Sequence, residues 1–373
     1  MNTALVVDIG AFAVLLALSA LVRSCFKHHG YSATAAFGIV MGIGIFADFS
    51  LPQLPFYSPL LTRLITLELL VIWCFLAGSY MASAINGHFR MHIAHPLRRF
   101  AIGTWVAGTA VLSALATHTL PHAPWIGKTL ALVAVAVYLP YVVLFVHGYY
   151  RLLRRPLKQN ANGVILLATV STQSIVIALH TAFGSGFPAD VVIGMVAFDI
   201  IFLCSGLVLI ALHYRAERSW LLAVEWKNAN CIVHGAVSIT GLALVLTSNF
   251  WPDVLLGVWE VALVLFGVIE IIEFVRMCER EHRGGWRRGL LVYDSTQWTR
   301  NFTYGMFYAF SYELYRHLSV TSSPTGDLWS PALRVIAEWG QYVVLAALLI
   351  EIAIFFRARL HLFWRVSHST HPL

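Results

Sequence analysis

The chain has 373 residues, of which 59% are hydrophobic and only 12% are charged. Soluble domains carry about a quarter charged residues, so the composition excludes an ordinary soluble protein and predicts a polytopic membrane protein. The five cysteines include no C-x-x-C pair, which excludes a disulfide framework and a zinc site of the usual spacing. The net charge of +7 does not predict nucleic-acid binding, because the basic residues follow the linkers between apolar segments.

Eleven apolar segments approach the roughly 20 residues that a helix needs to cross a bilayer. In chain order they cover about 4–22, 32–49, 60–85, 100–118, 126–148, 163–181, 190–213, 229–248, 254–276, 297–317 and 333–356. The first segment lacks a small-residue cleavage site and carries Asp8 instead of a basic leader, which is typical of an additional transmembrane helix rather than a signal peptide. We therefore predict an all-α membrane protein with an extra N-terminal helix and linker (1–30), a ten-helix domain (31–358) arranged as five hairpins, and a tail (359–373).

The basic residues assign the two sides of the membrane. Of the 25 lysines and arginines, 20 lie in alternate linkers such as 23–31, 86–99 and 276–296. The other five are Arg63, Lys128, Arg300, Arg316 and Arg334. Because basic residues are retained on the cytoplasmic side, we predict that these linkers and the C-terminal tail are cytoplasmic and that the protein lies in the cell (inner) membrane.

Every second span of the ten-helix domain is rich in glycine, serine and threonine, whereas the spans between them are continuous apolar runs. Small residues let helices pack closely, and that alone could explain the pattern. Alternatively, the five polar spans form an inner ring whose small and hydroxyl residues line a path for an ion. The residues predicted to line it are Gly38, Gly42, Gly103, Gly108, Thr172, Gln173, His234, Gly235, Ser238, Arg300, Asn301 and Gly305.

The segment 293–314, YDSTQWTRNFTYGMFYAFSYEL, differs most from an ordinary membrane helix. It places Arg300 and Asn301 at membrane depth, where lipid would leave them without hydrogen-bond partners. We therefore predict that this helix is buried in a bundle and lines a wet passage. Phe302 is the candidate plug of that passage.

Charge favours an anion as the transported species. The polar spans carry almost no acid, with only Asp48 and Glu313 near their outer ends, whereas cation paths usually contain carboxylates. The apolar spans do contain isolated carboxylates, which are costly at such depth unless they are paired or protonated. Pairing with Arg63, Arg334 or a histidine is one interpretation. The other makes Asp199 or Glu260 a proton-coupling group, and the protein a proton-coupled dicarboxylate symporter.

Four segments resemble motifs of the tellurite-resistance/dicarboxylate transporter family, which includes plant slow anion channels. Tyr293-Asp294, Trp298, Phe302 and Gly305-Met306 are similar to YDP-x-x-W-x-x-x-F-P-L-G-M, and Asn230–Leu244 is similar to YWINMGAxAIxxLAG. FGIVMGIGI (37–45) and LATVSTQSIVIAL (167–179) match more loosely, and Thr303 stands where the family has proline. The resemblance implies a central pore inside five hairpins, a gate at Phe302, a homotrimer, and passage of a C4-dicarboxylate, sulfite, chloride, nitrate or tellurite-type oxyanion.

Other function classes have weaker support. Among the 16 histidines, His147 and His213 end spans on the cytoplasmic side and His180 ends one on the outer side, so they do not form the facing pairs that membrane haem needs. The sequence contains no H-E-x-x-H, no G-x-S-x-G and no Asp-rich pair for phosphate chemistry, which are common signatures of intramembrane or hydrolytic enzymes. We therefore predict no enzyme activity, no catalytic residue, no cofactor and no metal. The expected partners are a small anion and the lipid bilayer.

Overall fold

The computed structural model describes residues 3–25, 30–154, 161–184, 188–216, 221–247, 251–289, 291–321 and 330–369, and this part of the chain contains helices and no strand. Its α-helices are α1 (Thr3–Cys25), α2 (Gly38–Ile45), α3 (Pro59–Ile85), α4 (Arg90–Ile93), α5 (Gly103–Thr119), α6 (Pro124–Arg154), α7 (Leu167–Phe183), α8 (Ala189–Ala216), α9 (Leu222–Glu225), α10 (Ile232–Thr247), α11 (Pro252–Gly289), α12 (Gln297–Thr321) and α13 (Ser330–Ser369). Short 3-10 turns precede α5, α7 and α10.

The all-α membrane class predicted from the sequence is confirmed. In the described residues, eight helices are long and apolar enough to cross a membrane, and Gly38–Gln53 is a shorter apolar helix. This shorter helix consists of α2, a π turn (Phe46–Ser50) and a 3-10 turn (Leu51–Gln53). Helical structure extends well beyond the prediction at two places: α11 continues into the basic linker, with a kink at Gly285 where φ is 65°, and α13 continues into the predicted tail.

Burial alternates along the chain in the way that the small and hydroxyl residues predict. In the most apolar stretch of each helix, 89% of the residues are buried in Arg98–Thr119, 83% in Gly163–Phe183 and 94% in Asn228–Thr247. The intervening long helices α3, α6, α8 and α11 are only 22–33% buried, and α1 is 6% buried. Because apolar side chains are stable against lipid, the exposed helices need no further cover, whereas the polar ones require protein around them.

The five helices α2, α5, α7, α10 and α12 pack against one another in a closed cycle. Each is in contact with the next in chain order, and α12 returns to α2. We call these five helices the inner ring. The outer helices cover its seams: α3 lies against α2 and α5, α6 against α5 and α7, α8 against α7 and α10, α11 against α10 and α12, and α13 against α12 and the π turn that follows α2. The extra helix α1 packs on α3.

Glycines allow the inner helices to approach one another closely. A Cβ atom added at Gly42 would lie 3.1 Å from the Trp298 carbonyl oxygen, and one at Gly103 would lie 2.8 Å from the Leu167 carbonyl oxygen. Such contacts are too short for most side chains. The same crowding against the adjacent element occurs at Gly38 with Trp298, Gly108 with Phe37, Gly235 with Thr303 and Gly305 with Ile45.

All five inner helices run in the same direction. Each follows one of the basic linkers, and an outer helix returns the chain to that side. We call the end of the bundle at these linkers the basic side and the other end the opposite side. Because every inner helix begins at the basic side, five partial positive helix ends of about half a charge each lie there together.

A buried histidine fastens the basic-side linker to the ring. His92 on α4 is fully buried, its Nδ1 lies 2.9 Å from Thr34 Oγ1, and its Nε2 lies 3.4 Å from Ser83 Oγ. The Thr34 carbonyl accepts a hydrogen bond of 2.7 Å from the Trp105 indole N–H on α5. Burial, with a smaller contribution from Arg98, lowers the pKa of His92. This cluster therefore fixes the start of α2 against α3 and α5.

We expect acid to weaken this cluster. An unfolded histidine binds a proton below a pKa of about 6.5, whereas the folded protein resists protonation of His92, so the stability contributed by neutral His92 is present above that pH and is lost as the pH falls. The melting temperature of the detergent-solubilised protein should therefore decrease more between pH 8 and pH 5.5 in wild type than in His92→Gln. Equal decreases would show that His92 does not titrate on unfolding.

The basic bias also gives a topology prediction. In a background without the native cysteines, Ala94→Cys probes the basic side and Pro121→Cys probes the opposite side, and both positions are exposed. A membrane-impermeant maleimide applied to intact cells should label position 121 and spare position 94, because basic linkers are retained in the cytoplasm. The reverse pattern would invert the predicted orientation, and equal labelling would contradict the hairpin scheme.

Candidate permeation path

A cavity of about 560 Å³ opens at the basic side of the inner ring. Its wall includes residues from or just before the start of each inner helix: Thr34, Ala101, Val164, Ala229 and Thr296. The basic side chains Arg98, Lys227 and Arg276 line it together with one acid, Asp294. With the parallel helix ends, these groups make the basic-side cavity electropositive.

A second cavity of about 590 Å³ opens at the opposite side, where the inner helices end. Its charged groups are arranged in pairs. His118 Nδ1 lies 2.7 Å from Asp48 Oδ1, and Arg316 Nη1 lies 3.2 Å from Glu313 Oε1. The two acids that the sequence places near outer helix ends are thus each matched by a basic partner.

A third, much smaller cavity of about 10 Å³ lies inside the ring and shares Asp48, Phe49, Ala114 and Ile177 with the opposite-side cavity. All five inner helices contribute to its wall. Their side chains there include Ile45, Val111, Ile177, Leu242 and Met306, with Ser174 as a hydroxyl group. A space of this size holds about one water molecule. The central cavity is therefore a narrow, mostly apolar continuation of the opposite-side cavity.

Phe302 lies on α12 between Thr296 and Met306 in the sequence. It is four residues before Met306, which lines the central cavity, so the two side chains share one face of α12. Thr296, further toward the start of the chain, lines the basic-side cavity. Phe302 is 1% exposed and belongs to the main apolar core. Phe302 lines none of the three cavities, and its role as the gate stays a prediction.

The departure from the family motif at Thr303 leaves α12 unbroken. The helix is continuous from Gln297 to Thr321, and the Thr303 hydroxyl donates to the Arg300 carbonyl at 3.0 Å. Threonine supplies the backbone N–H that proline would lack, so no kink is required at this position.

Several of the polar residues predicted to line the path bond to a neighbouring helix or to their own helix instead. Thr172 Oγ1 lies 2.8 Å from the Tyr138 hydroxyl on α6, and Gln173 Nε2 donates to Asp199 on α8. Ser238 donates to the carbonyl of its own helix at His234. The glycines, as described above, are occupied by close helix packing. The tight-packing interpretation therefore accounts for the glycines, Thr172 and Gln173.

His234 and Asn301 are buried without complete hydrogen bonding. The His234 ring lies beside Phe266 and Tyr304, with centroid distances of 4.9 and 6.4 Å, and neither of its nitrogens has a hydrogen-bond partner in the described part of the chain. Asn301 Oδ1 is likewise unpartnered, and Gly42 packs against its Cβ. Their predicted role in lining the path stays a prediction.

Arg300 faces the outer helix α11 and is the partner of buried carboxylates. Its Nη2 lies 2.9 Å from Glu270 Oε2, and its Nη1 lies 3.4 Å from Glu273 Oε2. Glu273 also pairs with Arg276, and the Tyr304 hydroxyl donates to Glu270. The geometry thus places Arg300 in an ion pair with the outer helix, whereas the sequence predicted that it lines the path.

The other carboxylates and cations pair differently from the prediction. Arg63 pairs with Asp8 of the extra helix, and Arg334 pairs with Glu338 on its own helix. Glu260 is half-buried on α11, without an ion pair or hydrogen bond among the described residues. Asp199 is fully buried on α8. Neither Arg63 nor Arg334 therefore serves as the partner of a deep carboxylate in the inner part of the bundle.

Sequence reasoning missed the apolar residues that line the central cavity. The available signal was helical spacing, because Ala110 and Ala114, or Phe302 and Met306, recur at intervals of four on one helix face. Polarity did not identify the residues that line the cavity, because hydroxyl and amide groups inside a membrane protein form hydrogen bonds between helices.

Loss of the Arg300 ion pair should destabilise the fold. Arg300→Gln leaves Glu270 with only the Tyr304 hydroxyl, whereas Glu273 retains Arg276. We expect a loss of about 3 kcal/mol, near the lower end for a broken buried pair, because the Glu270 side chain is 23% exposed. Thermal unfolding in detergent measures this loss.

Two further variants test whether the loss of stability comes from the broken ion pair. Arg300→Gln combined with Glu270→Gln removes the stranded charge and should recover most of the stability. Arg334→Gln removes an exposed arginine from an ion pair and should change the melting temperature little. Normal stability of Arg300→Gln together with altered ion selectivity would instead support a role at the mouth.

The chain matches no protein-family model and none of the curated proteins with which it was compared. The four segments that resemble the tellurite-resistance/dicarboxylate transporter family all lie on or next to inner helices: 37–45 on α2, 167–179 on α7, 230–244 on α10 and 293–306 at the start of α12. The resemblance stays a prediction that rests on these residues.

Proposed function

We propose that the protein conducts a small anion across the membrane through the inner ring, with Phe302 as the gate. The observation that carries this proposal is the closed cycle of five parallel helices with a wide cavity at each end and one narrow interruption between them. A path bounded on all sides by helices satisfies its backbone hydrogen bonds internally and needs no contact with lipid. The proposal includes the ten-span topology, with the C-terminus in the cytoplasm, and the homotrimer that the resemblance implies.

The electrostatics support an anion. Five helix N-termini and the side chains of Arg98, Lys227 and Arg276 surround the basic-side cavity, against the single acid Asp294. Such a cavity concentrates anions within about a Debye length, roughly 8–10 Å. Beyond it, the wall of the central cavity carries no cation that would retain an anion tightly. Attraction at the mouth and weak binding inside are the combination that permits conduction.

The pairing of charges in the bundle also supports an anion as the transported ion. The deep arginine Arg300 is matched by Glu270 and Glu273 on the side away from the ring interior. The acids at the opposite side, Asp48 and Glu313, are each matched by a basic side chain. Both acids at the opposite side are therefore paired, and at the basic side the single acid Asp294 is outnumbered by three basic side chains, whereas a cation-selective mouth requires unpaired carboxylates.

Purified protein in sealed liposomes tests the function. We expect flux of at least one anion from a panel of chloride, nitrate, sulfite, a C4-dicarboxylate and tellurite, with no chemical change in the anion. Membrane potential should follow the anion gradient and not the gradient of the accompanying cation. Flux that follows potassium or sodium instead would overturn the proposal.

The gate gives the sharpest functional prediction. Phe302→Ala removes an aromatic ring from the narrow part of the path and lets water enter, so anion conductance should increase. The ring sits in a packed environment, and truncating a core phenylalanine costs about 3–5 kcal/mol. Conductance must therefore be compared at equal amounts of folded protein.

Phe307→Ala is the matched control. The Phe307 ring is also buried, but it stacks on Phe266 of α11 with a centroid distance of 4.7 Å, so it faces the outer layer. It should cost similar stability without increasing conductance. If Phe302→Ala folds well and conducts no more than wild type, Phe302 is not the gate.

A further inference from the structure

A single carboxyl group connects an outer helix to the inner ring at the depth of the membrane interior. Asp199 belongs to the largely exposed helix α8, yet its side chain is fully buried. Gln173 of the inner helix α7 donates from Nε2 to Asp199 Oδ2 at 2.8 Å. The other two oxygens of this pair, Asp199 Oδ1 and Gln173 Oε1, are both buried and have no hydrogen-bond partner among the residues that the structure describes.

The surroundings do not supply a positive charge. None of the ion pairs among the described residues includes Asp199. The polar groups that face it are the hydroxyls of Thr169 on α7 and Thr240 on α10. The titratable groups that interact with its charge are Tyr138 and Tyr149 on α6, which are neutral acids.

An ionised Asp199 would therefore be poorly stabilised. A buried carboxylate needs a cation or several donors. Asp199 has the Gln173 amide N–H, the Thr240 hydroxyl donates to the Ala236 carbonyl instead, and the Thr169 hydroxyl, even if it turned to Asp199, would leave Gln173 Oε1 without a donor. Two acceptor oxygens that belong to a hydrogen-bonded pair, and that both lack a donor, require one further hydrogen atom between them. A proton on Asp199 Oδ1 supplies it, because an acid and an amide can exchange two hydrogen bonds at once.

We propose that Asp199 is a proton-binding site, in which the Asp199 Oδ1–H donates to Gln173 Oε1 while Gln173 Nε2 donates to Asp199 Oδ2. The proton comes from water, and no other bond is made or broken. A metal ion fits less well. Among the described residues there is no group of three or more His, Cys, Asp or Glu side chains that could hold one, and neither Asp199 nor Gln173 lines the three cavities described above.

The site is placed to act on the permeation path. Gln173 precedes Ser174, which lines the central cavity with Ile177 of the same helix. Loss of the proton leaves Asp199 Oδ1 and Gln173 Oε1 as two acceptors without a donor. It also removes one of the two hydrogen bonds that this pair makes between α8 and α7. Anion flux should therefore depend on the protonation of Asp199. This consequence rests on the proposed function, whereas the proton site itself does not.

Infrared spectroscopy tests the proton directly and needs no transport activity. At neutral pH, wild-type protein in detergent should have the carbonyl band of a buried carboxylic acid, which shifts in D₂O. Asp199→Asn should abolish that band. It should also keep its fold, because the asparagine amide can donate to Gln173 Oε1 in place of the acid. Glu260→Gln, which removes a half-buried carboxyl group of α11, should retain the band.

Stability against pH gives an independent measurement. An unfolded aspartate releases its proton above a pH of about 4, so unfolding of the wild type releases the proton of Asp199 and is favoured as the pH rises. Relative to Asp199→Asn, the melting temperature of wild type should decrease from pH 5 to pH 7. An unchanged infrared band in Asp199→Asn, or a parallel pH dependence of the two proteins, would overturn the proposal. So would stabilisation by sodium ions that wild type shows and Asp199→Asn lacks, since it would identify a cation site.

Liposome flux separates this inference from the proposed function. If anions pass and their flux varies with pH in wild type but not in Asp199→Asn, the site regulates the path. If the infrared band behaves as expected and no anion passes, the proton site stands and the proposed function fails.

Discussion

Close packing of five parallel helices is the constraint on which the rest of the structure depends. The helices approach so closely at Gly42, Gly103 and Gly235 that a Cβ atom would collide with the neighbouring helix. This proximity closes the ring and leaves only a narrow cavity inside it. It also places five helix N-termini at one end, because each hairpin returns the chain to the same side. The electropositive mouth and the narrow centre are thus both consequences of one packing arrangement.

The outer helices provide the inner ring with polar partners as well as cover. Glu270 and Glu273 of α11 neutralise Arg300, Tyr138 of α6 pairs with Thr172, and Asp199 of α8 pairs with Gln173. In hydrocarbon, an unsatisfied polar group is costly. Thr172 and Gln173 therefore turn outward to these partners, whereas Ser171, Ser174 and Ser238 donate to carbonyl groups of their own helices. The interior of the ring is consequently lined mainly by apolar side chains such as Met306 and Leu242. The one charged residue of this wall, Asp48, is paired with His118 at the opposite side. A mostly apolar wall behind a positive mouth suits passage better than tight binding.

Some of the candidate site could be predicted from the sequence, and the limits have physical causes. The contrast between polar and apolar spans identified the inner helices, since only protein can cover serine, threonine and glycine at that depth. Arg300 and Phe302 were singled out on the same helix, but their directions differ, because residues two apart on a helix point about 200° apart. Arg300 therefore reaches α11, whereas Phe302 shares a face with Met306. The carboxylates were recognised as needing partners, but the choice of Arg300 over Arg63 or Arg334 depends on which helices are neighbours.

The sequence by itself determined the class of the molecule: helices long and apolar enough to cross a bilayer, basic linkers on one side, and five spans that lipid alone cannot cover. These properties depend on composition and on spacing along the chain, and both can be evaluated from the sequence without knowing which helices are neighbours. Only the tertiary structure decided which polar groups meet, where the cavities lie and which side chains line them. Those features depend on the rotation of each helix about its axis and on contacts between residues far apart in sequence. The pairing of Gln173 with Asp199, in which one oxygen of each side chain lacks a donor, depends on such contacts.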